Sequence, residues 1–221
     1  MNNEAGNRLW LIDAGYLLKA QSKVRLGYQF SYVKLRQRLE QDGPLWRAYY
    51  LNSTPNPPSD QQDGFHIWLR SAPPRGPKIV TKLYKLRQIR ADAPYCETCQ
   101  AKVTVACPGG VGHRLHKQQQ KGVDVGIATL ALVHSDKYET LVLSSGDGDL
   151  LDAVEYLSEK GKRIELLVFR YGVSTDLQSR ADRIYWIDDF ADAVVQDKKE
   201  PMPTAVTIDV HDEPETVPGA E

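Results

Sequence analysis

Two short segments in the second half of the chain contain runs of consecutive large apolar residues, and these runs restrict the folds that the chain can adopt. Thr140 to Ser144 and Arg163 to Phe169 show no alternation of apolar and polar residues, so both faces of each predicted strand must be covered. Leu9 to Asp13 predicts a similar buried strand near the N-terminus. Strands of this kind are typical of parallel sheets that carry helices on both faces.

Helical and strand-like segments alternate along the rest of the chain. Further strands are predicted at Leu45 to Leu51, Lys78 to Leu86 and Ile184 to Ile187. Apolar and polar residues alternate along Lys78 to Leu86, so we expect that strand to have one exposed basic face. Apolar residues at helical spacing predict the connecting helices, which are Tyr32 to Leu39, Phe65 to Leu69, a segment that begins near Lys121, Leu150 to Lys160, Leu177 to Ala181 and Asp189 to Val195. The sequence therefore predicts the α/β class, with a central, mostly parallel sheet.

Composition narrows the class of protein further. The 221 residues are 41% hydrophobic and 26% charged, which is typical of globular domains and excludes a disordered chain or a collagen-like fibre. No run approaches about 18 apolar residues, and the polar stretch Met1 to Arg8 leads directly into a strand, so we expect neither a membrane span nor a signal peptide. Three cysteines, an odd number, favour free thiols and a cytoplasmic location.

Charged residues are segregated, although the net charge is only −1. Arg70 to Lys121 holds eleven Lys and Arg against two Asp and Glu, whereas Asp188 to Glu221 holds two Lys against ten Asp and Glu. The basic segment predicts a surface for single-stranded RNA, and a solvated charged face is the alternative. The contacts are expected from Lys78, Lys82, Tyr84, Lys85, Arg87 and Lys121. Beyond Asp197, prolines and acidic residues predict a disordered tail.

Four aspartates lie beside the ends of predicted strands. Asp13 closes the first strand, Asp147 and Asp149 follow the strand that ends at Ser144, and Asp124 lies in the first turn of the helix that begins near Lys121. Carboxylates from separate strand ends repel one another unless a hard cation such as Mg²⁺ or Mn²⁺ neutralises them. Such a cation can activate water and hold a phosphodiester for in-line attack.

Each of these aspartates also has a simpler interpretation. An Asp at a strand end often forms a turn or caps a helix. A calcium-binding loop is disfavoured, because Asp152 stands where that loop needs glycine. The same acids could serve a nucleotide phosphatase or a sugar-nucleotide enzyme, since Asp-x-Asp occurs there too.

All three cysteines fall within one segment, 95–117, which is poor in large aliphatic residues. Cys96 and Cys99 form a C-x2-C pair, Cys107 follows, and His113 and His116 come after it. Three Cys and one of the two His would complete a tetrahedral structural zinc site, whose binding energy could replace a missing core. Three free thiols in a loop are the alternative. We expect an inserted zinc knuckle.

These motifs together resemble the NYN domain, a branch of the PIN-like ribonucleases that includes the LabA-type bacterial proteins. The resemblance lies in Leu11-Ile12-Asp13-Ala14-Gly15-Tyr16-Leu17, in Lys121-Gly122-Val123-Asp124-Val125 and in Leu143-Ser144-Ser145-Gly146-Asp147-Gly148-Asp149. It implies a PIN-like three-layer Rossmannoid domain, Mg²⁺ or Mn²⁺, and cleavage of RNA. By position, Asp13, Asp124 and Asp147 match the metal-binding acids and Asp149 an additional one.

Two positions depart from the family pattern. Many members carry Asn shortly after the first Asp, where this chain has Gly15-Tyr16, and Asp six residues beyond the helix acid, where it has Leu130. The predicted function is a metal-dependent endoribonuclease in which Asp13, Asp124, Asp147 and Asp149 are catalytic. The alternative is a weakly active or inactive RNA-binding adaptor, and a homo-oligomer is left open. The expected organisation is a domain over 8–196, which includes the knuckle, followed by the tail over 197–221.

Overall fold

A computed structural model describes residues 6–55, 57–91, 95–103, 107, 109–110, 113 and 115–201. Eight strands lie within them: β1 (Arg8–Asp13), β2 (Leu45–Thr54), β3 (Val80–Lys85), β4 (Arg87–Arg90), β5 (His116–Gln119), β6 (Thr140–Ser144), β7 (Arg163–Val168) and β8 (Arg183–Trp186). The α-helices are α1 (Ala14–Gln21), α2 (Tyr32–Glu40), α3 (Asp60–Arg70), α4 (Val123–Val133), α5 (Leu151–Glu159) and α6 (Thr175–Arg180). None of these helices is long and apolar enough to cross a membrane.

Six strands form one parallel sheet in the order β3-β2-β1-β6-β7-β8. The chain runs outwards from β1 to β3, then crosses back to place β6 beside β1, and continues outwards to β8. Ile12 of β1 lies opposite Ser144 of β6, so the carboxyl ends of these two strands meet where the strand order reverses. Open α/β sheets bind their ligands at such a reversal.

Helices cover both faces of this sheet. Trp10 and Ile12 of β1 point into a core closed by α1, α2 and α3, whereas Leu9 and Leu11 point into a core closed by α4, α5 and α6. All four side chains are fully buried, which explains why β1 shows no alternation of polarity. The predicted α/β class and the parallel sheet flanked by helices are confirmed.

Several predicted elements differ from those in the structure. Helix α1, which has eight residues and begins directly after Asp13, was not predicted. Helix α3 is longer than the predicted Phe65 to Leu69. The segment predicted as a last helix forms 3-10 turns over Ile187–Val194. Residues 202–221 of the predicted tail lie outside the described residues.

The prediction of a single exposed basic face along Lys78 to Leu86 was wrong. Side chains alternate along a strand, so Lys82 and Lys85 of β3 lie on opposite faces of the sheet. Tyr84 shares the face of Lys82 and packs, half-buried, in the core beneath α4. The apolar residues Val80 and Leu83 are instead exposed, because β3 is an edge strand and neither face is fully covered.

An antiparallel ribbon of β4 and β5 follows the edge strand. Arg87 pairs with Gln119 and Arg90 pairs with His116, so the ribbon carries the cysteine-containing segment at its tip. Most of the ribbon's side chains are exposed. The chain returns from β5 through Gln120 to the start of α4.

A buried ion pair joins the first strand to β7 at the amino-terminal side of the sheet. The Arg8 guanidinium contacts the Glu165 carboxylate, and their side chains are only 3% and 5% exposed. Arg8 also donates to the carbonyl oxygen of Leu39 and to the Tyr185 hydroxyl. A second arginine, Arg163, approaches the other carboxylate oxygen at 3.3 Å, but 56% of its side chain is exposed.

Replacing Arg8 should therefore destabilise the fold much more than replacing Arg163. Arg8→Met leaves the Glu165 carboxylate buried without its main partner, and we expect a loss of about 3–5 kcal/mol in the free energy of unfolding. Arg163→Met removes an exposed contact and should cost less than about 1 kcal/mol. Urea denaturation of both variants measures the difference, and equal losses would contradict this account of the ion pair.

Candidate active site

Asp13 is the last residue of β1 and also the N-cap of α1. Its backbone is extended, and its Oδ1 accepts a hydrogen bond from the backbone N–H of Tyr16 at 3.1 Å, which caps the helix. Its Oδ2 accepts a hydrogen bond from the Ser145 hydroxyl at 3.1 Å. Both oxygens retain lone pairs, so the carboxylate is oriented by the fold without being saturated.

Ser145 joins the loop after β6 to the end of β1. Its hydroxyl donates to Asp13 and accepts from the backbone N–H of Asp147 at 3.2 Å. Asp147 in turn caps the short 3-10 turn Gly148–Leu150, because its Oδ1 accepts from the backbone N–H of Asp149 at 3.0 Å. One hydroxyl therefore sets the relative position of two of the predicted catalytic acids.

Asp124 reaches the same edge of the sheet from a different element. It lies in the first turn of α4, where a carboxylate is favoured by the partial positive charge of the helix terminus. The N-cap of this helix, Gly122, has φ of +88° and supplies no side-chain cap. Asp124 is half-buried, whereas Asp149 is exposed to solvent.

The charges of these acids act on one another. Burial above all, together with the charges of Asp124 and Asp147, raises the pKa of Asp13 from its usual 3.8 to about 6, and the two hydrogen bonds oppose this rise. The pKa of Asp124 is raised by burial, by Asp147 and by Asp149. The four acids therefore share one electrostatic environment at the junction of β1 and β6.

A close backbone contact holds the loop after β6 in place. A methyl group built on Gly146 would lie 1.8 Å from the carbonyl oxygen of Gly172 and 2.8 Å from the ring of Tyr16. The Tyr16 hydroxyl is fixed by donation to the carbonyl oxygen of Phe169 at 2.7 Å. Only glycine fits at position 146, so the loop that carries Asp147 is confined between α1 and the chain beyond β7.

The structure adds three residues that the sequence analysis did not assign to the site. Ser145 and Tyr16 orient the acids, as described above. The Gln120 side chain lies over Gly15, and its Oε1 would be 3.5 Å from a methyl group built there. Contacts across the sheet edge, between residues far apart in the chain, leave no periodic signal in a sequence. The Leu130 side chain, at the other departure from the family pattern, packs in the core beneath α4.

The four acids offer a metal ion only carboxylate ligands. All their donors are oxygens, which suit Mg²⁺ or Mn²⁺. Within the described part of the chain, no three His, Cys, Asp or Glu side chains lie close enough together to hold one ion. Mg²⁺ usually keeps several waters and binds through one or two carboxylates plus substrate phosphates, so the acids fit a hydrated ion of that kind.

The predicted RNA-contacting residues belong to β3, to β4 and to the segments that precede β3 and α4. Lys82 Nζ lies 5.9 Å from the centre of the Tyr84 ring, and that ring packs against Gly122, next to the exposed Lys121. These three residues share the α4 face. Lys85 lies on the opposite face of the sheet, Lys78 precedes β3, and Arg87 begins the ribbon. All three are exposed.

The predicted zinc ligands form two separate pairs. Cys96 and Cys99 lie in one turn, where hydrogen bonds from the backbone N–H and the thiol of Cys99 lower the pKa of Cys96. The His113 Nδ1 atom lies 3.4 Å from the Sγ of Cys107. His116 belongs to β5, where it is opposite Arg90.

Comparisons with known proteins agree with this architecture. A family model described as the NYN domain matches residues 9–188. A crystal structure of a protein of unknown function from Vibrio parahaemolyticus aligns with a TM-score of 0.62 and 19% sequence identity, covering 89% of this chain and 99% of that one. At that identity the likeness shows the fold alone. No curated protein sequence matches the chain significantly.

The raised pKa of Asp13 predicts an unusual dependence of stability on pH. The folded protein binds the proton of Asp13 more tightly than the unfolded chain does. The contribution of Asp13 to the free energy of unfolding should therefore be largest below about pH 4 and should be lost as pH rises through about 6. The full effect is about 3 kcal/mol.

Asp13→Asn should abolish this pH dependence, whereas Asp152→Asn, at an exposed carboxylate of α5, should keep it. Urea denaturation between pH 4 and pH 7 with EDTA present measures the effect. Parallel curves for Asp13→Asn and the unaltered protein would contradict it.

Proposed function

The chain belongs to the NYN domain family of PIN-like nucleases, and on that premise we propose that it is a Mg²⁺- or Mn²⁺-dependent endoribonuclease. The observation that carries the proposal is the mutual effect of the acids across the strand reversal. The charges of Asp124 and Asp147, from two other elements, act on the buried carboxylate of Asp13. Among the described residues none of the four acids forms an ion pair with a Lys or Arg side chain, so a divalent cation would relieve their mutual repulsion.

The proposed roles follow from the position of each side chain. Asp13 and Asp147 would hold the cation, with Asp124 and Asp149 engaging its waters. A cation bound there would supply Lewis acidity and lower the pKa of a coordinated water. Ser145 keeps the two principal acids in register through its paired hydrogen bonds.

The proposed RNA path crosses the α4 face of the edge strand. Lys82 Nζ lies 5.9 Å from the centre of the Tyr84 ring, and Lys121 precedes Gly122, the N-cap of α4, which packs against the same ring two residues before Asp124. Two ammonium groups there can bind successive phosphates and bring the backbone to the acids. Lys85 lies on the other face and is outside this path.

An RNA-binding adaptor without catalysis is the second candidate. It is favoured by Gly15-Tyr16 and Leu130 at positions where many family members carry an amide or an acid. The Gln120 amide beside Gly15 offers a different amide at the first of these positions. Nuclease assays distinguish the two candidates.

Removing one acid should abolish cleavage without unfolding the protein. Asp147→Asn keeps the acceptor for the Asp149 backbone N–H and removes only the charge. We expect cleavage of a labelled single-stranded RNA with Mn²⁺ to fall at least about a hundredfold, because charge stabilisation by a bound metal is worth several kcal/mol. EDTA should abolish cleavage by the unaltered protein.

The matched control for this experiment is Asp152→Asn. It makes the same change at an exposed carboxylate of α5 and should leave the rate within about twofold of the unaltered protein. Cleavage that survives both EDTA and Asp147→Asn would refute the nuclease proposal. Undiminished RNA binding with no cleavage by the unaltered protein would support the adaptor.

The RNA path predicts which lysines set the salt dependence of binding. Each phosphate contact to a single strand contributes about −0.7 to the slope of log affinity on log salt. Lys82→Ala with Lys121→Ala should therefore reduce the slope by about 1.4 and weaken binding for all sequences alike.

A double variant with the same change of charge provides the control. Lys137 and Lys160 are exposed near the opposite, amino-terminal edge of the sheet, and replacing both with Ala should leave the slope unchanged. Fluorescence anisotropy over a salt series, with an uncleaved RNA, measures all three proteins. If the slope of log affinity on log salt changes equally in both double variants, the proposed RNA path is refuted.

A further inference from the structure

We propose that a small polar pocket at the carboxyl end of β2 receives one amino or carbonyl group of an RNA base and so gives RNA binding a base preference. The proposal rests on the proposed function, since it assumes that RNA lies along the acidic edge of the sheet. The pocket lies between β2 and α3, and its lining includes Tyr50, Asn52, Ser53, Thr54, Gln62 and His66.

Three of the lining residues carry buried polar atoms that lack a hydrogen-bond partner among the described residues. These atoms are the hydroxyl oxygens of Ser53 and Thr54 and the Nδ1 of His66. Ser53 is fully buried, and only 5% of His66 is exposed. Buried polar groups in proteins are nearly always paired, because burial removes their hydrogen bonds to water. Three unpaired atoms around one pocket therefore indicate that the pocket binds a polar group.

The size of the pocket limits what can enter it. It encloses about 10 Å³, and it opens into a space of about 230 Å³ that continues into solvent. A cavity of about 10–15 Å³ holds a group of the size of one water molecule. The enclosed part can therefore take a single amino or carbonyl group, while the ring that carries this group stays in the outer space.

Two amide side chains of the lining are held in place by the fold. The Asn52 Oδ1 accepts from the backbone N–H of Ser53 at 2.8 Å, and its Nδ2 donates to the Tyr50 hydroxyl at 3.0 Å. The Gln62 Oε1 accepts from the backbone N–H of Ser59 at 2.9 Å in the capping box of α3. Each amide nitrogen has at least one hydrogen that these bonds do not use. Amides fixed in this way suit hydrogen bonding to the polar edge of a base.

His66 adds a group that can both donate and accept. Its ring is packed against the rings of Tyr50 and Phe65, with ring centres 6.0 Å and 5.9 Å away. Burial lowers the pKa of His66 below its usual 6.5, so the imidazole is neutral at pH 7. A neutral imidazole has one N–H donor and one acceptor nitrogen. Together with the two hydroxyls it gives the pocket partners for either an amino or a carbonyl group.

The pocket adjoins the acidic edge of the sheet. Leu51 of β2 lies opposite Asp13 of β1, and neighbouring strands are about 4.8 Å apart. Asn52, Ser53 and Thr54 are the next three residues and end the strand. The pKa of Tyr50 is raised by burial and also by the charge of Asp13, so the two side chains are within electrostatic reach. An RNA strand that passes from the acids towards β2 would therefore bring a base to the pocket.

Binding of four homopolymeric RNAs tests the pocket. Full-length protein, with EDTA present to prevent metal-dependent cleavage, should bind oligo(A), oligo(C), oligo(G) and oligo(U) with different affinities. Thr54→Val removes one hydroxyl at nearly constant volume. It should reduce the ratio of the highest to the lowest affinity by about two- to tenfold, the effect of one hydrogen bond. His66→Leu should reduce the ratio in the same direction. Fluorescence anisotropy measures the affinities, and urea denaturation verifies that each variant is folded.

The matched control is Thr140→Val, which removes a buried hydroxyl at the opposite, amino-terminal end of the sheet and should leave the ratio unchanged. Equal affinities of the unaltered protein for the four RNAs would overturn the proposal. An unchanged ratio in both Thr54→Val and His66→Leu would also overturn it, because the pocket then binds only water. Cleavage with Mn²⁺ is measured separately, so these results leave the nuclease proposal standing. No binding to any of the four RNAs would overturn both.

Discussion

The parallel pairing of β1 with β6 is the constraint on which the rest of the molecule depends. These strands are distant in sequence and belong to opposite halves of the sheet, yet their register places Ile12 opposite Ser144. Asp13 follows Ile12 at the end of β1, and Ser145 follows Ser144 directly after β6. The register therefore brings together the two residues whose side chains form a hydrogen bond at the candidate site. A shift of one residue would turn Asp13 into a core face and break the hydrogen bond between them.

Two opposing effects meet at Asp13. The backbone N–H of Tyr16 and the Ser145 hydroxyl favour the ionised carboxylate, while burial and two neighbouring acids disfavour it. Burial is the largest effect, so the balance lies on the side of the protonated form relative to an ordinary aspartate. A fold that places a carboxylate in this position sacrifices stability at neutral pH and gains a group that attracts positive charge.

The sequence predicted the parts of the fold in which burial is complete. The bounds of β6 agree with the prediction because the apolar run Leu141 to Leu143 is buried and the polar residues Thr140 and Ser144 stand at its two ends. Helix α1 was missed because Gly15 and an exposed Lys19 interrupt a short pattern, and its start is set by the capping of Asp13. The prediction of one exposed basic face for β3 was wrong because the presence of lysines in a strand does not show on which face each of them lies. Ser145 and Gln120 could not be assigned to the site, since their roles arise from contacts across the sheet edge.

The position of the ribbon has a consequence for how such a chain can change. The ribbon leaves the sheet after its outermost strand, and its own strands pair only with each other within the described residues. Its tip can therefore lengthen, shorten or exchange its contents without disturbing any register of the six-stranded sheet. Doubling the length of a flexible loop costs only about 0.6 kcal/mol in closure entropy. The ribbon tip is thus a position at which an inserted segment can be exchanged, while the four acids at the edge of the sheet keep their arrangement.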